Sequence, residues 1–304
     1  MNIDGVFEGG GVKGIAFVGA VCCLEERGYN FSRVAGTSAG SIIASLLAVG
    51  YTGEELKRII LDLDYSKLLD KKGYNRIPLI GSEISILKNK GIYEGEYISR
   101  WLASLFEAKK KTRFKDVMVN GNSKLKIIAS DISKKEIVIL PDDLTKYDID
   151  PMEFEIWKAV RMSISIPLFF QPVKLKYKKE YSFIVDGGLL SNFPVWIFDV
   201  SKIPRWPTFG FNLVDMKKNS AIEIGFLNYI TDLIETVVNK NEDVYIRDKD
   251  SVRIINIPTL GVGATQFSIN KDTSNKLFVS GYESAKKFIS AWDFNGYIRK
   301  YRSE

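Results

Sequence analysis

The amino-acid sequence predicts an α/β fold, with a mainly parallel central sheet flanked by helices and a nucleophile elbow between a strand and a buried helix. Short β-rich runs alternate along the 304 residues with longer segments of helical periodicity, a pattern typical of parallel sheets covered by helices. A glycine-rich turn at Gly9–Gly14 joins the first such run to the first helical segment. The pentapeptide Gly36–Gly40 lies at the next strand-to-helix junction and has the Gly-x-Ser-x-Gly form of an elbow.

The first elements are indicated by hydrophobic pattern and by their end signals. A glycine just beyond the last periodic residue, Gly28, ends the first helix. Thr52 and Glu55 have the spacing of a capping box, which opens a further helix. The elements predicted in this part are, in order, a strand at Gly5–Phe7, a helix at Lys13–Arg27, a strand at Arg33–Ala35 and a buried helix at Ala39–Val49.

Residues 66–120 are the least characteristic part of the chain and form the candidate lid or membrane-docking region. Their first half is irregular and contains the apolar segment Ile77–Ile80 between lysine clusters. A helix follows, whose apolar residues recur on one face, most simply as a core face and alternatively as a lipid-binding one. These residues are Ile98, Trp101, Leu102, Leu105 and Phe106.

The remaining chain again alternates between strand and helix patterns. Strands are predicted at Leu125–Ala129, Ile137–Leu140, Ser182–Val185 and Val252–Ile257, and helices at Ile222–Val238 and Ser274–Trp292. Phe169 and Phe170 are interpreted either as core residues or as the lining of an acyl pocket. No linker divides the sequence, so we expect a single domain over residues 1–304.

Composition and charge narrow the function classes. The net charge is +6, and lysines cluster at several places, including 109–111 and 174–179. A basic surface favours contact with anionic membranes, although each cluster alone also fits a solvated loop. No nucleic-acid reading module accompanies the charge, so nucleic acid is not expected as a partner. The start of the chain lacks signal-peptide character, and Cys22 and Cys23 are adjacent, which predicts a cytoplasmic setting without disulfides. The basic charge adds peripheral membrane contact as an expectation.

Ser38, at the centre of the elbow, is the candidate nucleophile. A serine hydroxyl needs a neighbouring base, which is usually histidine, and this chain contains no histidine. Gly36 and Gly40 remove side chains where the strand and the helix cross. An alternative interpretation makes Ser38 a helix N-cap without catalytic meaning.

The glycine-rich turn admits two interpretations. Gly9, Gly11 and Gly14 match the G-x-G-x-x-G pattern of a dinucleotide-binding turn, but the second strand is not followed by the carboxylate that would hold a ribose. Backbone amides at such a turn can instead stabilise the oxyanion of a tetrahedral intermediate, helped by the helix dipole. The missing carboxylate favours the second interpretation.

Asp186 is the leading candidate for the proton acceptor of Ser38. It closes a predicted strand and is followed by Gly187 and Gly188, which leave space beside its carboxylate. Its ordinary pKa keeps it ionised at neutral pH, so it would act as a base through proximity and desolvation. The alternative is that Asp-Gly marks only a turn.

The three motifs, in this order and spacing, resemble those of the patatin-like phospholipase family. The segments Met162–Pro167, Leu189–Pro194 with Asn192, and Ile257–Gly281 are also similar to the family, so the resemblance covers most of the chain. Gly188 departs mildly, because many members carry alanine there. The resemblance implies the patatin fold and a calcium-independent lipid acyl hydrolase that needs neither metal nor cofactor.

The resemblance also implies roles for individual residues. Ser38 corresponds to the nucleophile and Asp186 to the general base of a Ser–Asp dyad. The amides of Gly10, Gly11 and Val12 correspond to the oxyanion hole. Lys13 stands where the family has a basic residue that orients the glycine loop or meets a phosphate. The motif-supporting positions are Gly9, Lys13, Gly14, Gly36, Gly40, Gly187 and Gly188.

The function expected from these residues is hydrolysis of fatty-acyl esters of phospholipids or lysophospholipids through an acyl-enzyme. Two alternatives use the same scaffold: a soluble carboxylesterase or thioesterase acting on small acyl esters, and a catalytically silent protein that binds lipid or a partner. A nucleotide-binding protein is a weaker fourth. The expected partners are the acyl-ester substrate and an anionic membrane surface, and a protein activator stays open as a further one.

Overall fold

The computed structural model describes residues 1–70, 88–215, 236 and 248–302. Within them the main sheet contains eight strands, in the hydrogen-bonded order β12-β11-β1-β2-β6-β10-β9, and β7 also pairs with β6. The strands are β1 (Asn2–Phe7), β2 (Asn30–Thr37), β3 (Gly91–Tyr93), β4 (Met118–Val119), β5 (Asn122–Ser123), β6 (Leu125–Asp131), β7 (Glu136–Leu140), β8 (Leu168–Phe170), β9 (Val173–Tyr177), β10 (Glu180–Asp186), β11 (Thr208–Val214) and β12 (Ile254–Pro258).

Helices surround this sheet, as the alternating pattern predicts. They are α1 (Ile15–Glu26), α2 (Ala39–Val49), α3 (Gly53–Leu61), α4 (Glu96–Ala108), α5 (Ile156–Ser163), α6 (Asp248–Ser251), α7 (Lys271–Ala291) and α8 (Phe294–Tyr301). The capping box of α3 is confirmed, because Thr52 and Glu55 exchange side-chain and backbone hydrogen bonds. None of the described helices is long and apolar enough to cross a bilayer.

The predicted fold class is confirmed. Strands β12, β11, β1, β2 and β6 are mutually parallel, whereas β7, β10 and β9 pair in antiparallel fashion. The mixture follows from the connections: parallel neighbours are joined through helices, and β6–β7 and β9–β10 are hairpins.

Strand β6 positions the two chain segments that form the site. Its first half pairs with β2, where Thr37 lies opposite Ile128, and its second half pairs with β10, where Asp186 lies opposite Ala129. Because β7 covers both halves of β6, β2 and β10 must lie on the same side of it. The carboxyl ends of β2 and β10 therefore meet head to head.

The core lies between the sheet and the helices that cover it. Phe7 of β1 stacks on Phe211 of β11, with ring centroids 4.4 Å apart, and contacts Phe17 of α1 edge-on at 5.6 Å. Cys22 and Cys23 are free thiols buried in this core, as their adjacency predicts. Helix α1 packs closely on α7, which fixes the carboxyl-terminal part of the chain to the amino-terminal βαβ unit.

The structure adds elements that the sequence prediction lacks and leaves two of its predictions untested. Strand β11 lies between β1 and β12 but was not predicted, because Gly210 and Asn212 weaken its β pattern. Helix α5 is only two turns long and was also missed. The predicted apolar segment Ile77–Ile80 and the predicted helix Ile222–Val238 fall outside the described ranges, apart from residue 236.

Candidate active site

The elbow is formed where β2 ends at Thr37 and α2 begins at Ala39. Ser38, between them, has φ 49° and ψ −125°, a backbone conformation that residues with a side chain rarely adopt. Its amide donates to Ser163 Oγ at 2.9 Å, and its carbonyl accepts from the Ser41 amide at 2.9 Å and from Ser41 Oγ at 2.6 Å. These bonds hold the turn that directs the Ser38 side chain away from both elements.

The strand and the helix approach so closely here that glycine is required on both. A Cβ on Gly36 would lie 2.2 Å from the Gly40 carbonyl oxygen, and one on Gly40 would lie 2.3 Å from the Phe7 carbonyl oxygen. Any side chain at either position would force β2, α2 and β1 apart. The spacing of the pentapeptide thus reflects the geometry of this crossing.

The structure brings Ser38 and Asp186 together. Ser38 Oγ donates a hydrogen bond to Asp186 Oδ2 at 2.6 Å, and both side chains are buried. Ser38 occupies the N-cap position of α2, yet its side chain makes no capping bond to that helix. The simple N-cap interpretation therefore does not describe how this hydroxyl is used.

Asp186 is oriented by its own backbone surroundings. Its Oδ1 accepts from the Gly188 amide at 2.8 Å, and its backbone N–H donates to the Ser165 carbonyl at 2.9 Å. Burial raises the pKa of Asp186 from 3.8 to about 7, against the opposing effect of the hydrogen bonds from Ser38 and Gly188. The carboxyl group therefore titrates close to neutral pH, unlike the ordinary aspartate assumed from sequence.

The glycine loop, Gly9–Gly14, packs beside the elbow and ends in a short 3-10 helix, Gly11–Gly14. Gly11 and Gly14 border the same cleft as Ser38. In the part of the chain that the structure describes, the amides of Gly10 and Gly11 have no protein acceptor. Both remain available as donors.

The expectation for Val12 needs correction. Its amide donates to the Ala264 carbonyl at 3.0 Å, so this N–H anchors the loop to the segment that follows β12. The sequence could not reveal this contact, because the acceptor lies about 250 residues along the chain. Val12 is accordingly removed from the expected set of oxyanion donors.

Lys13 is buried beneath the loop and forms an ion pair. Its Nζ lies 3.0 Å from Asp215 Oδ2, just beyond the end of β11, and Asp215 also accepts from Thr259 Oγ1. Of the two roles considered for Lys13, this pairing fits orientation of the glycine loop. A phosphate would have to compete with Asp215 for the ammonium group.

Glu8 and Asn192 support the loop from below, and sequence reasoning assigned a role to neither. Glu8 accepts from Asn192 Nδ2 at 3.0 Å and from the Leu213 amide at 2.5 Å, and Asn192 O accepts from the Gly9 amide at 3.1 Å. Burial raises the pKa of Glu8 to about 8. The sequence did contain a signal for this role, because Glu8 lies between an apolar strand and a run of glycines. A glutamate at such a position is expected to be buried, and a buried glutamate needs a partner.

An apolar cleft of about 70 Å³ opens beside Ser38. Phe170 lines it, whereas Phe169 packs behind and stacks on Phe267, with ring centroids 5.6 Å apart. The predicted stripe of α4 divides in two, because Ile98 and Trp101 line the cleft while Leu102 and Phe106 belong to the core. Further lining residues are Ile15, Ile42, Ile43, Ile60, Leu63, Tyr65, Leu68, Ile164 and Ile166.

Arg161 secures the segment that leads from α5 to the cleft. Its buried guanidinium donates to Ser165 Oγ, to the Glu94 carbonyl at 2.6 Å and to the Gln171 carbonyl at 2.9 Å. Desolvation lowers the pKa of Arg161 to about 10. Ser165 in turn accepts from the Asp186 amide through its carbonyl, so Arg161 fixes the backbone on which the carboxylate rests.

No group of three or more His, Cys, Asp or Glu side chains within the described residues is arranged to hold a metal ion. The described groups around Ser38 are a hydroxyl, a carboxyl, backbone amides and apolar walls.

The family assignment comes from comparison with known proteins. A sequence model of the patatin-like phospholipase domain matches residues 5–199, which include the elbow, the glycine loop and the Asp-Gly-Gly segment. The chain belongs to the patatin-like phospholipase family. The resemblance inferred from the motifs is thereby confirmed.

Two relatives extend the similarity over most of this patatin-like chain. It is 40% identical over 302 residues to the uncharacterized protein YqhO of Bacillus subtilis, covering 97% of this chain and 100% of that protein. It is 28% identical over 255 residues to the probable lipid hydrolase 463L of Invertebrate iridescent virus 6, covering 78% of this chain and 81% of that one.

Solved structures share the fold at low sequence identity. VipD from Legionella pneumophila superposes with a TM-score of 0.58 at 19% identity, covering 95% of this chain and 67% of that one. The type III effector ExoU gives a TM-score of 0.52 at 15% identity, and the match covers 95% of this chain and 53% of ExoU. At these identities the likeness concerns the fold.

Proposed function

We propose that this protein is a lipid acyl hydrolase that cleaves fatty-acyl esters of phospholipids or lysophospholipids with Ser38 and Asp186. The observation that carries the proposal is the 2.6 Å hydrogen bond from Ser38 Oγ to Asp186 Oδ2, formed at a strained elbow in a chain without histidine. Membership of the patatin-like phospholipase family and the relative named as a probable lipid hydrolase support it.

The proposed reaction runs through an acyl-enzyme. Ser38 Oγ attacks the ester carbonyl while Asp186 accepts its proton, and the amides of Gly10 and Gly11 donate to the oxyanion. Asp186 then returns the proton to the departing alcohol. A water molecule, deprotonated by Asp186, attacks the acyl-enzyme, and Asp186 passes this proton to Ser38 Oγ as the ester bond breaks and the fatty acid leaves.

The walls of the cleft support an aliphatic acyl chain as the group transferred. Its lining consists almost wholly of aliphatic and aromatic side chains from α2, α3, α4 and the segments beside them. Burying a methylene group contributes about 0.8 kcal/mol, so each carbon placed in the cleft strengthens binding. A small polar acyl group would leave these contacts unused, which argues against a carboxylesterase or thioesterase specific for small esters.

The availability of Ser38 can be tested with a serine-directed fluorophosphonate. We expect the wild-type protein to be labelled, and Ser38→Ala and Asp186→Asn to lose labelling. Ser45→Ala is the matched control, because Ser45 lies on the same helix and, among the described residues, its hydroxyl bonds only to the Ile42 carbonyl at 2.8 Å. A folded wild-type protein that resists labelling would contradict the proposal.

Hydrolysis itself is measured as fatty-acid release from phosphatidylcholine and lysophosphatidylcholine in the presence of EDTA. Loss of the nucleophile is expected to lower kcat by about four orders of magnitude or more. Release that needs added calcium would contradict metal-independent chemistry. A preference for short, water-soluble esters over long-chain lipids would favour the esterase alternative.

A further inference from the structure

We call the edge of the sheet at the carboxyl end of β2, where Ser38 lies, the catalytic edge. The β9–β10 hairpin lies directly beyond this edge. Strand β10 runs toward β2, and Ile184 pairs with Asp131, the last residue of β6. Residues 173–183 therefore extend past the carboxyl ends of β2 and β6, on the side where Ser38 lies. Their backbone is tied to the β6–β7 turn by the bond from the Ile132 amide to the Phe183 carbonyl, 3.1 Å long.

One face of this hairpin carries lysines beside aromatic rings. Lys176 lies opposite Tyr181 and Lys174 opposite Phe183, and in an antiparallel pair such partners project on the same side. Leu175 and Ser182, on the other side, are buried, whereas Tyr181 is 55% exposed. We call Lys90, Lys174, Lys176, Tyr181 and Phe183 the basic hairpin surface.

Lys90, the residue that precedes β3, also belongs to this surface. Its Nζ lies 5.1 Å from the centroid of the Phe183 ring, and the Nζ of Lys174 lies 5.7 Å from the same centroid. Two ammonium groups thus converge on one ring. Behind the hairpin, Lys134 Nζ lies 5.2 Å from the Tyr177 ring, which extends the positive charge around the tip.

No described carboxylate forms an ion pair with the three lysines of this surface. Residues 173–183 contain four lysines and one glutamate, Glu180. Among the described residues, Lys90, Lys174 and Lys176 form no ion pair, whereas lysines elsewhere, such as Lys109, Lys115 and Lys126, pair with a carboxylate. Part of the net positive charge of +6 is therefore concentrated next to the site, on lysines that form no ion pair with a described carboxylate.

The same edge of the sheet also exposes apolar side chains. Val214 ends β11 and is 40% exposed, and Leu260 follows β12 and is 47% exposed. Because β11 and β12 run parallel to β2, both residues lie at the catalytic edge. One edge thus carries three kinds of side chain: lysines without a described ion pair, an exposed tyrosine and exposed aliphatic groups. A lipid–water interface accommodates all three.

We propose that the basic hairpin surface docks this protein on anionic bilayers and turns the catalytic edge toward the lipid. The ammonium groups contact the phosphates of the headgroups, and Tyr181 places its ring at the headgroup level. The exposed Tyr181 ring and the exposed Val214 and Leu260 side chains accompany the lysines, and this apolar component favours a bilayer over an acidic protein. The proposal rests on the proposed function for its substrate, but docking itself does not require hydrolysis.

The test is cosedimentation with phosphatidylcholine vesicles prepared with and without phosphatidylglycerol. The test variant is Lys90→Gln/Lys174→Gln/Lys176→Gln. The control variant is Lys276→Gln/Lys286→Gln/Lys287→Gln, which removes the same charge from exposed positions of α7. Thermal unfolding establishes that both variants are folded.

We expect the wild-type protein to prefer vesicles with phosphatidylglycerol. Each lysine near the surface contributes about fivefold to partitioning, so the hairpin variant should bind roughly 100-fold more weakly. The control variant should keep nearly all of the wild-type affinity. Equal losses in the two variants, equal binding to both vesicle types, or tighter binding to polyglutamate than to anionic vesicles would each overturn the proposal.

Fatty-acid release by the wild-type protein from a dissolved monomeric ester separates the two proposals. If the ester is hydrolysed but anionic vesicles are not bound, the docking surface is wrong and the hydrolase proposal stands. If vesicles are bound as expected but no ester is cleaved and no fluorophosphonate reacts, the hydrolase proposal fails and the docking surface stands.

Discussion

Two opposing requirements meet at Asp186. Burial excludes water from its carboxyl group and raises its pKa to about 7, whereas the proposed chemistry needs the ionised form. The hydrogen bonds from Ser38 and Gly188 favour ionisation and limit the rise. A base with a pKa near the working pH is suited to proton transfer in both directions.

The pH dependence of hydrolysis follows from this pKa. Because only the ionised carboxylate accepts the Ser38 proton, kcat/KM for a dissolved ester should increase as the pH rises through about 7. Glu8, with a pKa of about 8, is a second buried carboxyl group near the loop. The profile of Glu8→Gln should keep the same midpoint, and a midpoint that disappears in this variant would assign the titration to Glu8.

Stability should respond to pH in the opposite sense. A carboxyl pKa raised on folding from 3.8 to about 7 contributes stability that is fully present below the unfolded value and is lost as the pH rises through the folded value. We expect Asp186→Asn to raise the free energy of unfolding by about 4 kcal/mol above pH 7, at about 1.4 kcal/mol per pKa unit. Denaturant unfolding near pH 4 should show almost no gain, and an equal gain at both pH values would refute the explanation.

Glu8 is expected to position the glycine loop. Glu8→Ala leaves the Leu213 amide without its acceptor, at a cost of about 1–3 kcal/mol for that buried group. It also leaves Asn192 Nδ2 with only the 3.3 Å bond to the Gly9 carbonyl. Thermal unfolding and the rate of fluorophosphonate labelling should both fall. Glu8→Gln retains an oxygen acceptor, so both measurements should fall less for this variant than for Glu8→Ala. Equal effects in the two variants would contradict a positioning role for these hydrogen bonds.

At the level of elements, helices α1 and α7 cross in close contact. A Cβ on Gly281 would lie 1.8 Å from the Ala16 carbonyl oxygen, and one on Gly19 would lie 1.9 Å from that of Phe278. The two helices therefore pack backbone against backbone. The crossing joins two helices about 250 residues apart in sequence.

Gly281→Ala should accordingly destabilise the protein, although alanine is the better helix former. Overpacking typically costs about 1–3 kcal/mol, and here backbone atoms are the obstacle. Val279→Ala is the control, because Val279 is on the same helix and is 55% exposed, so its change should stay within about 0.5 kcal/mol. Similar losses in both variants, measured by denaturant unfolding, would show that helix propensity or solvation dominates.

Local signals explain which elements the sequence predicts well. Helix α2 has the predicted ends, Ala39 and Val49, because the elbow precedes it and Gly50 follows it in a left-handed conformation. Strand β11 escapes prediction, since its stability comes from burial between β1 and β12. The head-to-head meeting of β2 and β10 depends on pairing with β6, which no local pattern encodes.

At the scale of the whole molecule, the site also combines features that local sequence sets with features that depend on tertiary contacts. Ser38, Asp186 and the glycine loop are visible as motifs, because each needs a particular residue at a particular turn. The contact of Val12 with Ala264, the ion pair of Lys13 with Asp215 and the support by Glu8 depend on segments brought together by folding. Sequence therefore identifies the candidate reacting groups more readily than the residues that hold them.

Ionic strength tests the charge of the molecule as a whole. Salt screens exposed charges, with a Debye length of about 10 Å at 0.1 M, but scarcely affects a buried hydrogen-bonded pair. Fatty-acid release from anionic vesicles should therefore decline with added NaCl, while hydrolysis of a dissolved ester should not. A parallel decline for both substrates would place the salt effect at the active site instead of the docking surface.

The head-to-head meeting of β2 and β10 has a consequence for the newly synthesised protein. Ser38 and Asp186 are 148 residues apart, and both strands are aligned by β6. While the ribosome is still extending the chain, the serine is present without the carboxyl group that we propose as its proton acceptor. Under the proposed mechanism, hydrolytic competence arrives with completion of the sheet, and an unfinished or misfolded copy would not attack the lipids of the cell that makes it.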